Sequence, residues 1–165
     1  MRHPATATAA VKVLYLVSCV GQKLAYPAKA RELYTSPWFK FASCLAEQRA
    51  TSWLILSAKY GLIAPSTRIA PYNQTLLTMP KSSRRDWAES VLAQLAPKLS
   101  QYSKVVLLAG MRYREFLLPE LQRHLSVEVP MKGLKIGEQL SYLKQLTQCP
   151  EVTHRAKTAC GCQHA

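Results

Sequence analysis

Cys19 and Lys23 stand four residues apart. A cation and helix-start amides near a cysteine lower its thiol pKa and expose the nucleophilic thiolate. The competing use of Cys19 is as a small buried residue closing a strand. His3, His124, His154 and His164 all fall away from this segment, which weakens a Cys–His nucleophile scheme. Glu138, at a helix start beside Gly137, is the better-placed acid/base candidate, with Glu32 the other. A Glu at a helix start also serves simply as a dipole partner. Cys19, Lys23 and Glu138 are therefore the candidate catalytic residues. Lys23, Lys59 and Arg112 could converge as an anion clamp, or stand apart as three surface charges. Tyr60, Tyr72 and Tyr113 offer faces on which an unpaired base could stack. Their alternative is core packing with the hydroxyl at the surface.

The elements that must position these residues follow from hydrophobic pattern. Val11 to Val17, Trp53 to Ser57 and Val105 to Leu108 are rich in β-branched and large apolar residues and read as buried strands, with Val127 to Val129 a short fourth. Lys29 to Tyr34 reads as a short helical turn. A helix starts at Ser36-Pro37, with Ser as cap and Pro in the first turn, and runs to about Ala50. Pro80 to Leu99 is an amphipathic helix with a kink or early end at Pro97. Arg112 to Leu125 is a helix broken at Pro119, and Gly137 to Leu146 is the last. Residues 58–79 have no clear period, and a segment that long is usually functional when ordered. Strands alternating with helices imply a small three-layer α/β sandwich of about four mostly parallel strands, with helices on both faces.

In such sheets, ligands bind beyond the carboxyl ends of the strands. Gly21, Gly61, Gly110, Gly133 and Gly137 follow the four strands in turn, so five of the six glycines fall at that edge. Glycine there permits positive φ or close approach to a ligand; strand-to-helix turns also need it for their own sake. Polar residues accompany the glycines. The candidate ligand-binding set is Ser18, Gly21, Ser57, Lys59, Tyr60, Gly61, Tyr72, Gly110, Arg112, Tyr113 and Gly137. No loop matches a Walker A or G-x-G-x-x-G pattern, so ordinary ATP or NAD binding is not indicated, and no cofactor is expected.

The chain has 165 residues, 22 Lys+Arg against 9 Asp+Glu, and a net charge of +13. Residues 1–50, 51–100 and 101–165 carry +5, +4 and +4. The excess is thus spread through the folded region and points to a polyanion partner, nucleic acid (DNA or RNA) or a nucleotide-like anion. Asp86 is the single aspartate, which nearly excludes Asp-cluster magnesium or calcium chemistry. A hydrophobic content of 48% argues against disorder. No apolar run approaches the ~20 residues of a membrane helix, so no membrane partner is expected. The organisation expected is a flexible leader (1–10), one α/β domain (11–146) and a flexible tail (147–165). The tail holds Cys149, His154, Cys160, Cys162 and His164, which are zinc-ligand types. Its C-x-C spacing departs from the usual pattern, so no metal is expected. Five irregularly spaced cysteines make a poor disulfide framework; Cys44 reads as an inert core residue, and a reducing cytoplasm is the default location.

Several segments resemble a widespread bacterial and phage domain of unknown function. They are S-C-x-x-x-K (Ser18 to Lys23), A-x-E-L-Y-x-S-x-x-F (Ala30 to Phe39), L-S-A-K-Y-G-L-I-x-P (Leu56 to Pro65) and I-x-P-Y (Ile69 to Tyr72). The L-L-A-G-x-x-Y stretch ending at Tyr113 and the G-L-x-I-G-x-Q-L stretch ending at Leu140 complete the set. The K-Y-G-L segment and its following P-Y are also similar to the YaaA peroxide-stress family, which is associated with DNA binding and protection of DNA under oxidative stress. The strand layout resembles the uracil-DNA glycosylase fold, without that fold's signature motifs. The expected function is a nucleic-acid-associated domain with a nucleobase or nucleotide pocket at the carboxyl edge, suited to base processing or a DNA-damage or stress role. Alternatives are a small-molecule enzyme using the Cys19 thiolate and a non-catalytic binding or regulatory module.

Overall fold

A computed structural model describes residues 10–19 and 21–147. The expected leader and the Cys/His tail, apart from Ala10 and Thr147, lie outside the described residues. The elements run β1 (Val13–Ser18), β2 (Ala28–Lys29), α1 (Ala30–Leu33), α2 (Pro37–Arg49), β3 (Ser52–Ser57), β4 (Gly61–Ile63) and β5 (Arg68–Ile69). Then come α3 (Lys81–Leu99), β6 (Lys104–Leu108), α4 (Met111–Arg114), α5 (Leu118–Gln122), β7 (Ser126–Glu128) and α6 (Ile136–Leu146). The central sheet has strand order β4-β3-β1-β6-β7. β3, β1, β6 and β7 are parallel, and β4 is antiparallel to β3. The α/β architecture with a mostly parallel sheet flanked by helices is as expected.

β1 lies at the centre because Leu14, Tyr15, Leu16 and Val17 are buried between two neighbours and two helical layers. A strand covered on both faces needs no polar alternation. α2 packs on β1, β3 and α6; α3 packs on β4 and α4. Right-handed crossovers demand this division, since β1 to β3 and β3 to β6 run in opposite directions across the sheet. Ser36 caps α2 by accepting from Phe39 N, with Pro37 in the first turn.

Three details differ from the sequence expectation. Residues 58–79 are not one loop: Gly61 turns the chain sharply enough for β4 to pair back onto β3. Its φ is +72°, and a Cβ there would sit 2.6 Å from Gln94 Oε1. That same oxygen accepts Leu62 N at 2.8 Å, satisfying the outer side of an edge strand. Pro97 does not end α3; it lies in the last turn and the helix runs on to Leu99. The helix expected over 112–125 breaks earlier than Pro119, after Arg114, and restarts with Pro119 in the first turn of α5, where no N–H is missed. Cys44 is buried on α2, where its sulfur accepts Gln48 Nε2 at 3.4 Å; Cys149, Cys160 and Cys162 lie outside the described residues. No helix among the described residues is long and apolar enough to cross a membrane.

Candidate functional site

β1 connects to β3 on one side, and β6 connects to β7 on the other. The crevice between the carboxyl ends of β1 and β6 is therefore the sheet's switch point, where α/β proteins place ligands. Cys19 follows β1, Tyr113 follows β6, and Cys19 Sγ meets Tyr113 Oη at 3.4 Å across it. Continuing the β1–β3 register past Ser18 and Leu56 puts Ser57 beside Cys19.

Tyr72, brought back over this edge by the segment after β5, joins the two. Its hydroxyl donates to Cys19 Sγ at 3.5 Å and lies 2.7 Å from both Ser57 Oγ and Tyr34 Oη. Ser57 Oγ also accepts Tyr60 N at 3.1 Å. One proton arrangement lets every hydroxyl donate: Tyr34 and Ser57 donate to Tyr72, while Tyr72 and Tyr113 donate to the sulfur. Burial pushes the Tyr34, Tyr72 and Tyr113 phenols well above the usual tyrosine value, and the Cys19 sulfur beside them adds to the shift. All three therefore stay protonated and able to donate. The arrangement brings two tyrosine hydroxyls onto one sulfur atom. Lys23 Nζ sits over the Tyr72 ring at 4.6 Å and the Tyr34 ring at 5.6 Å, so a cation covers the tyrosine that touches the sulfur. Cys19 itself is 5% exposed.

A cleft of about 310 Å³ opens next to this network. The β3–β4 turn contributes Ala58, Lys59, Tyr60 and Gly61. Ser83, Trp87 and Ser90 face it from α3, at the i, i+4, i+7 spacing that shares one helix face. Gln74 and Met79 close it. Tyr60 and Trp87 form both the cleft wall and the packing of the network. The Tyr60 ring meets Tyr72 edge-on at 5.5 Å, and Trp87 meets Tyr113 edge-on at 5.6 Å. Trp87 Nε1 also donates to Ser57 O at 2.9 Å. Lys59 Nζ lies 5.3 Å from the Tyr60 ring centroid at the cleft mouth.

The structure thus gathers Cys19, Lys23, Ser57, Tyr72 and Tyr113 into one network, and Lys59, Tyr60 and Gly61 into the adjoining cleft. Ser18 is fully buried at the end of β1, and its Oγ has no hydrogen-bond partner among the described residues. Gly21 is an exposed turn at φ +73°, with Ser36 closely packed against it. Gly110 precedes α4, on which Arg112 is exposed. Glu138 accepts Lys135 N at 2.7 Å and so caps α6, with Gly137 in the same first turn. Arg112, Gly137 and Glu138 line neither the cleft nor the network. Tyr34, Gln74 and Trp87 were not among the expected site residues. Tyr34 lies in the A-x-E-L-Y segment, and a Trp in the second turn of a helix that starts at the carboxyl edge was the available signal for Trp87. Among the described residues no group of three or more His, Cys, Asp or Glu side chains could hold a metal ion.

Comparison with known proteins places these features in context. A family of unknown function (DUF6884) matches residues 14–145, and the chain belongs to it. The uncharacterised protein YfjM of Bacillus subtilis (strain 168) is 26% identical over 147 residues, spanning 84% of this chain and 97% of that protein. No solved structure matches the chain.

Proposed function

We propose that this member of the family is a nucleic-acid-associated domain that takes a nucleobase or nucleotide into the cleft at the carboxyl edge of its sheet. The observation that carries this is the cleft's lining: two aromatic rings, Tyr60 and Trp87, with the Lys59 cation, the Gln74 amide and the Ser83 and Ser90 hydroxyls. Rings receive a planar base, an amide reads its edge, and a cation beside the start of α3 favours phosphate. The volume lies at the low end of small-molecule sites. The net charge of +13 supports a polyanion partner. The similarity of the K-Y-G-L and P-Y segments to the YaaA family points the same way, towards base processing or DNA-damage stress. DNA or RNA affinity is expected to fall steeply with salt, and the Lys23→Ala/Lys59→Ala variant to lose binding while folded. Binding at low salt no better than that of a neutral control protein defeats the proposal.

A second reading has its own observation. Cys19, held by two tyrosine hydroxyls at the switch point, fits a small-molecule enzyme that uses a thiol. Iodoacetamide labelling across pH separates the two: selective labelling of Cys19 near neutral pH favours the enzyme, and an unreactive Cys19 removes it.

A further inference from the structure

We infer that the carboxyl edge accepts a single-stranded polynucleotide in preference to a duplex. The inference rests on the nucleic-acid reading above and adds the strand type. Five large hydrophobic side chains among the described residues are markedly exposed. Val11, at 70%, precedes β1 at the opposite edge. The other four belong to the carboxyl edge. Tyr26 (60% exposed) follows β1, Met111 (61%) follows β6, Ile136 (63%) follows β7, and Leu77 (69%) lies just beyond Leu76, whose backbone adjoins the Tyr113 hydroxyl.

The charge on the same connections is one-sided. Segments 19–27, 58–80, 109–113 and 129–135 hold six lysines and arginines and no Asp or Glu. Lys59, Arg112, Lys132 and Lys135 among them are exposed. Across the sheet, in the order β3, β1, β6, β7, the edge presents Lys59 with Tyr60, Lys23 with Tyr26, Arg112 with Met111, then Lys132 and Lys135 with Ile136. Neighbouring strands lie about 4.8 Å apart, so this row spans on the order of 14 Å.

A duplex offers phosphates and sugars on its outer face and hides the faces of its bases. It would satisfy the cations and leave the apolar side chains idle. An unpaired strand offers both: phosphates for the cations, and base faces that lose water against aliphatic and aromatic surface. Cations interspersed with apolar or aromatic side chains along the edge suit that pairing of phosphate and base. The cleft between Tyr60 and Trp87 then takes a base at the β3 end of the row.

The test uses the full chain with fluorescein-labelled dT12 and the dT12·dA12 duplex, followed by anisotropy at 50 and 200 mM salt. The single strand is expected to bind at least tenfold more tightly. Four phosphate contacts give a log–log salt slope of about −2.8, or roughly 50-fold weaker binding at the higher salt. The Tyr26→Ala/Met111→Ala variant, altered only at exposed positions, is expected to weaken dT12 about tenfold or more and to leave duplex binding unchanged. Equal affinity for both forms with the salt slope intact overturns the strand preference and leaves the nucleic-acid reading standing. Failure to bind either form overturns both. A dimer in sedimentation velocity that Met111→Glu splits assigns the apolar rim to a second copy of the chain and overturns the inference.

Discussion

Replacing Tyr72 by Phe removes one oxygen from the centre of the buried network while leaving the ring's packing against Tyr34 and Tyr60 in place. The Tyr34 hydroxyl, fully buried, loses the partner 2.7 Å away. Ser57 keeps the Tyr60 N–H but loses the acceptor for its own proton, and Cys19 keeps Tyr113. An orphaned buried hydroxyl costs about 1–3 kcal/mol and a lost neutral hydrogen bond about 1 kcal/mol, so the expected loss is about 3 kcal/mol. At this chain length that is a fall in Tm of roughly 6–12 °C. Urea equilibrium unfolding measures it, provided m stays constant. The Tyr34→Phe/Tyr72→Phe variant sharpens the argument. With both oxygens of the 2.7 Å pair removed, no Tyr34 hydroxyl is left orphaned, so the double variant should cost clearly less than the sum of the singles. Tyr60→Phe is the control, since that hydroxyl has no hydrogen bond among the described residues, and should change stability by less than about 0.5 kcal/mol. A Tyr72→Phe cost no larger than the Tyr60→Phe cost, or strict additivity in the double variant, refutes the network.

Burial raises the Tyr34, Tyr72 and Tyr113 phenols in the folded state. Above pH about 10 the unfolded chain therefore releases protons that the folded chain retains, and stability falls as pH rises. The fall is about 1.4 kcal/mol per pH unit per tyrosine, and Tyr72→Phe should remove one such share in alkaline unfolding curves. Gly61→Ala combines a left-handed φ with a Cβ 2.6 Å from Gln94 Oε1; a loss of about 2 kcal/mol or more is expected, and Gln94→Ala should recover part of it. Arg84, buried at 6% exposure, pairs with Glu115 and donates to Met79 O at 2.6 Å. Glu115→Ala strands that guanidinium and should cost about 2–3 kcal/mol by urea unfolding, discounted for the partial exposure of Glu115.

The strands were readable because β1, β3 and β6 are apolar between polar ends (Ser18, Ser52, Ser57 and Lys104), without the alternation of a half-exposed sheet. β4 was not, because three residues carry no periodicity; its cause is the turn at Gly61 and an amide from α3, a contact 32 residues away. The approach of Cys19, Ser57 and Tyr113 follows from strand order, since each ends or follows one of three adjacent parallel strands, whereas Tyr72 arrives through the segment after β5. Tyr34 and Trp87 could not be placed in the same way. Tyr34 arrives through the short β2–α1 excursion, and Trp87 reads as one more apolar residue on the face of α3. Glu138 shows the opposite limit. Its position at a helix start suggested acid/base chemistry, yet its carboxylate is occupied by the Lys135 amide.

Photocrosslinking tests the central claim most directly. A 12-nucleotide strand carrying 5-iodouracil is irradiated with the protein, digested with trypsin and mapped by mass spectrometry. A base seated in the cleft should label Tyr60 or Trp87, in the peptides that follow Lys59 and Arg85, and Lys59→Ala should reduce that yield. Labelling confined to peptides remote from the carboxyl edge, or unchanged by Lys59→Ala, contradicts the assignment of the cleft to a nucleobase.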